Sequence, residues 1–141
     1  MNWMAIVVAV VVAFAVGGLW YGPLFGKPWA KLMGMKMDKK PKPKVMAKAF
    51  GLQILGLVLT TWVMFHCAEV WRHSVWGVGQ DGPGYMYGFF GGFYIWIGFY
   101  IPMQLGKVSW EGRPWKLFLI NTGHDFVVLQ TIAQILENWP R

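Results

Sequence analysis

The sequence is poor in the residues that most chemistry needs. A single cysteine, Cys67, rules out a disulfide within the chain, a CxxC redox pair and any all-cysteine zinc or iron–sulfur site. The two serines, Ser74 and Ser109, fall in stretches expected to be loops, and no hydrolase elbow, Walker loop or dinucleotide fingerprint occurs. Only 13% of the 141 residues are charged, six of them acidic, too few to give a soluble domain its polar shell. What fills the chain is apolar: 56% hydrophobic and 18% aromatic, with ten tryptophans and five tyrosines. Rings with apolar faces and one polar edge accumulate at the headgroup level of a bilayer, so lipid is the expected solvent.

The net charge of +7 would suggest nucleic acid in a soluble chain. Here the positive residues lie between apolar segments, so anionic lipid headgroups account for them, Lys39, Lys40, Lys42 and Lys44 above all, and no nucleic-acid partner is expected. Ala13-Phe14-Ala15 resembles a signal-peptide cleavage site, but no positive charge precedes the apolar run, which continues to Trp20 and Tyr21; cleavage is not expected.

Four stretches have the length and apolarity of spans: about 2–21, 49–71, 85–105 and 115–139. Gly22-Pro23 is expected to stop the first, because proline breaks the helical ladder. Lys27 to Met33 reads as a short interfacial helix, 39–44 as extended and solvated, and Gly77 to Gly84 as a turn-rich loop. Trp3, Trp20, Tyr21, Trp29, Arg113, Trp115 and Trp139 are the expected interface anchors. Loop 27–48 carries eight lysines, and Lys107, Arg113 and Lys116 bring that side to eleven of the thirteen basic residues. The positive-inside bias puts this side in the cytoplasm and both termini outside. The fold class is thus an all-α, four-helix membrane bundle, 1–141 forming one transmembrane domain.

Ala5, Ala9, Ala13 and Gly17 recur every four residues, as do Gly84, Gly88 and Gly92. Such stripes let helix backbones approach closely in lipid. On segment four, Asn121, His124 and Asp125 lie on one side of the helix, and Gln130, Gln134 and Glu137 roughly opposite. Lipid satisfies neither set, so protein is expected to enclose this segment, from within the bundle or from another subunit.

An ionisable pair inside a span marks a functional site, and His124–Asp125 ranks first here, as proton relay, ligand contact or metal ligand. The structural alternative is hydrogen bonding to Tyr94, Thr60 or Thr61. His66, Glu69 and His73 share one helix face and are the candidate transition-metal ligands, although their spacing matches no protease motif and no cofactor is otherwise expected. Cys67 reads as a small buried apolar residue.

The opening Asn2-Trp3 with its Ala/Val-rich helix, the run Gly18-Leu19-Trp20-Tyr21-Gly22-Pro23-Leu24-Phe25-Gly26-Lys27 with Trp29, then Glu111-Gly112-Arg113-Pro114, Leu119-Ile120-Asn121, and Ile135-Leu136 with Trp139 resemble the bacterial membrane-protein family known as domain of unknown function 1761. The resemblance implies a four-span protein of the bacterial inner membrane and no activity. The first functional expectation is a non-catalytic accessory subunit, packing in a homo-oligomer or a larger membrane complex. Transport through a path past His124 and Asp125 is the second, and a metal- or cofactor-binding membrane protein the third.

Overall fold

The computed structural model describes residues 2–36 and 41–140, all helices and connections with no strand among them. Lys39 and Lys40 lie outside the described residues. Helix α1 spans Trp3–Leu19 and runs into a π turn, Trp20–Leu24; α2 is Gly26–Leu32 and α3 is Pro43–Val70. After a 3-10 turn at His73–Trp76, α4 (Gly84–Ile95) continues through a second π turn, Trp96–Tyr100, into α5 (Ile101–Glu111), and α6 is Trp115–Asn138.

The element ends follow from local chemistry, and several differ from expectation. Asn2 caps α1, its side chain accepting from Ala5 N at 3.3 Å. Pro23 does not stop the helix: the backbone widens into a π turn, with Phe25 N donating to Trp20 O five residues back, and the missing proline N–H is absorbed there. Residues 43 and 44 are helical rather than extended, because Pro43 sits in the first turn of α3, where it lacks nothing the helix would use. The third segment runs past residue 105 to Glu111, so Ser109 is helical, donating to Gly106 O; Gly112, with φ of +64°, then closes α5.

Helix α6 occupies the centre and touches α1, α3, α4 and α5. It is the most polar of the long helices and also the most enclosed, with Leu129 and Ile132 almost wholly buried. Ala5, Ala9 and Ala13 are buried on the face that α1 turns to α6 and α3. Large apolar residues cover the outside instead, among them Val7, Val11, Leu52, Leu59, Val63 and Phe89. Among the described residues two stretches, Trp3–Leu24 and Pro43–Val70, are long and apolar enough to cross a membrane.

The glycines of α4 explain its close contact with α6. A Cβ at Gly84 would lie 2.6 Å from Glu137 O, one at Gly88 2.9 Å from the Gln134 side chain, and one at Gly92 2.8 Å from Gln130. In that space Gln134 Nε2 donates to Tyr85 O and Gln130 Nε2 to Phe89 O, both at 3.0 Å. A helical carbonyl has a second lone pair, so each amide is satisfied without breaking the α4 ladder. Both stripes are therefore used within the chain.

Candidate functional site

Toward the lysine-rich end, one face of α6 meets the two π turns. Trp20 Nε1 donates to Ile120 O at 3.0 Å, and Trp96 Nε1 to Thr122 O at 2.8 Å. Each π turn thus fixes an indole against the central helix; π turns are frequent at functional sites. Trp20 and Tyr21, expected at a membrane interface, turn inward because the widened turn aims them at α6.

Between these indoles lies the polar layer. His124 is 8% exposed, its Nδ1 3.2 Å from Asp125 Oδ1, while Gln104 Nε2 donates to Asp125 Oδ2 at 3.3 Å. Tyr21 stacks obliquely on the His124 ring at 4.6 Å and donates its hydroxyl to Asn121 Oδ1 at 3.0 Å. Glycine on each helix makes room: a Cβ at Gly17 would meet His124 Nε2 at 3.3 Å, and one at Gly123 the Trp20 ring at 3.1 Å. Expected partners and observed ones differ. Gln104 and Tyr21 hold the layer, not Tyr94, Thr60 or Thr61; Tyr94 is mostly exposed, and the Thr61 hydroxyl is buried without a hydrogen bond.

Tyr21, Gln104 and Asn121 also line a cavity of about 520 Å³, shared with Gln53 of α3, Trp29 of α2 and Lys107 of α5. Arg113 and Glu111, paired at 3.4 Å, line it too. His124 and Asp125 thus sit one hydrogen-bonded layer behind a polar vestibule at the lysine-rich end. Of the expected anchors there, Trp115 is exposed with its ring on Phe118, and Trp29 packs on Tyr21 at 5.1 Å. Lys42 and Lys44 are exposed. Gln104 was missed by sequence reasoning, because it falls at the very end of the expected third span, where a polar side chain raises no question.

The opposite end carries a charge cluster. Arg72, 7% exposed, pairs with Glu137 of α6 and with Asp81 at 3.4 Å, and its guanidinium lies 5.7 Å from the Tyr87 ring centroid. Asp81 also accepts from Ser74 N at 2.9 Å and Ser74 Oγ at 2.8 Å; these bonds, the backbone one foremost, with Arg72, hold its carboxyl below the usual range. This cluster too escaped the sequence, in which Arg72 is one of the two basic residues outside the lysine-rich side. Trp3 and Trp139 lie at this end and line one shallow cavity with Glu69.

His66, Glu69 and His73 are not brought together. His66 packs edge-on against Trp62 and Phe65, while His73 Nδ1 bonds Tyr87 OH at 2.6 Å beyond the end of α3. Among the described residues no three His, Cys, Asp or Glu side chains gather as metal ligands. Residues three and seven apart share a helix face only while the helix lasts, and α3 ends at Val70.

Fold and site define a protein that is all-helical over its described residues, with two helices among them apolar enough to cross a membrane and a buried histidine–aspartate layer on its central helix. The chain belongs to the family described as protein of unknown function (DUF1761), whose model matches residues 4–137. No curated protein and no solved structure matches it.

Proposed function

We propose that this is a four-span protein of the bacterial inner membrane that acts without chemistry as a small carrier or channel, its path passing His124 and Asp125. The carrying observation is the pair's position one layer behind the 520 Å³ vestibule. Ionisable side chains are costly inside a bilayer and recur where ions or protons pass. The vestibule opens at the lysine-rich end, which the positive-inside bias assigns to the cytoplasm, and the Arg72–Glu137–Asp81 cluster lies at the other. Protons are the species this pair can pass. Proteoliposomes with a trapped pH dye should show protein-dependent proton entry under an imposed potential, falling to the empty-liposome rate in Asp125→Asn and His124→Leu. Entry that survives both replacements removes the pair from the path, and wild-type entry no faster than in empty liposomes overturns the reading.

A second reading, an accessory subunit in a homo-oligomer or larger complex, has one observation in its favour. Residues 43–56 of α3 are exposed on every side, although Val45, Phe50, Leu52, Ile54 and Leu55 lie there. A photo-crosslinker at Leu52 that captures a protein neighbour in native membranes would support it. A strictly monomeric particle on native mass spectrometry, with nothing co-purifying, would count against it.

A further inference from the structure

We infer that the cleft between α3 and α4 binds a lipophile with a neutral, hydrogen-bonding ring head and a hydrocarbon tail, the chemistry of an isoprenoid quinone, with its head at His73 and Tyr87. The site is separate from the His124–Asp125 layer and does not rest on the transport reading. Its walls are fixed by packing elsewhere. Helix α4 is held on α6 by the glycine face and the two glutamine bonds, and α3 is held against α1 and α6, with Leu57 and Thr61 buried. Neither helix can close on the other without giving up those contacts, so the gap belongs to the fold.

The gap is about 600 Å³, within the roughly 300–1,000 Å³ of small-molecule sites. Its lining runs from Tyr87 on α4 to Phe99 in the π turn that follows, a rise of twelve residues or ~18 Å at α-helical pitch, so the space is long like a chain. Cys67, Ala68, Phe90, Ala133 and Leu136 make its body apolar, a lining that water does not fill. Polar groups gather at one end: His73 bonds Tyr87 OH at 2.6 Å, Gly82 N donates to the same hydroxyl at 3.3 Å, and Glu137 stands beside them.

Charge selects the head. Among the described residues no Lys or Arg lines the cleft: Arg72 lies outside it, paired with Glu137 and Asp81, so a phosphate head would meet no cation there and would face the Glu137 carboxylate. A neutral carbonyl or hydroxyl head meets no such penalty and finds a phenol and an imidazole able to donate or accept. Phe90 and Trp71 offer flat apolar faces for a ring.

The full chain in phosphatidylcholine nanodiscs, titrated with decylubiquinone, should bind it saturably above empty nanodiscs. The double variant His73→Ala/Tyr87→Phe should weaken binding about tenfold, as expected for a lost hydrogen bond to the head. Gly91→Leu should abolish it with unchanged circular dichroism, because Gly91 lines the cleft and a Cβ there has no protein atom within 4 Å. Absence of saturable binding, or binding indifferent to Gly91→Leu, overturns the site. A tightly held phospholipid in the wild type that is missing from Gly91→Leu on native mass spectrometry overturns the neutral head.

Discussion

Gly84 and Gly88 look alike in the sequence, yet what each faces differs in kind. At Gly84 the obstacle to a Cβ is the carbonyl of Glu137, backbone that cannot turn aside; at Gly88 it is the amide end of Gln134, which can. Gly84→Ala should therefore destabilise the fold by about 1–3 kcal/mol, the usual cost of overpacking. Gly88→Ala loses one interhelical bond worth about 0.6 kcal/mol and regains roughly 1 kcal/mol of helix propensity, so it should be near neutral. Thermal unfolding of both variants in the same detergent checks the order, and equal losses would contradict it. The stripe was legible in the sequence, because close packing in lipid demands small residues at that spacing. What it packed against was not: only the fold brings Gln130 and Gln134 to those glycines.

Among the elements, the segment from His73 to Gly84 shows how a loop is held by charge. Sequence reasoning saw only its turn residues; the structure adds Asp81, gripping Ser74 and Arg72. Because the folded carboxyl titrates below its ordinary 3.8, Asp81 contributes stability fully above that value, and the contribution is lost as pH falls through the lower folded value. Asp81→Asn should thus lower the melting temperature at pH 7, with the difference from wild type closing only below pH 3.8. A difference already gone at pH 5 would mean the carboxylate is not held this way. The π turns were illegible for a related reason: Pro23 signals a break, and the sequence does not say that widening the turn is the cheaper answer once Trp20 has a carbonyl on α6 to reach.

At the scale of the whole molecule, the number of crossings turns on α4–α5 and α6, which are less apolar than α1 and α3. The central place of α6 answers the objection its polarity raises, since its histidine, aspartate and glutamines are satisfied by neighbours rather than by solvent. With the π turn between them, α4 and α5 make a continuous stretch of 84–111, ~42 Å if helical throughout, which exceeds a ~30 Å hydrocarbon core. Two topologies then make opposite demands on one position. With four crossings Ser109 lies on the same side as Lys42; with only α1 and α3 crossing, everything after Val70, Ser109 included, lies on the side of Val75. In a Cys67→Ala background, a membrane-impermeant maleimide should label Val75→Cys in intact cells, and Lys42→Cys and Ser109→Cys only after permeabilisation. Ser109→Cys labelled as readily as Val75→Cys would leave α4–α5 and α6 outside the bilayer. The vestibule lined by Lys107 would then face away from the lysine-rich loop's compartment, and the path past His124 and Asp125 would connect nothing.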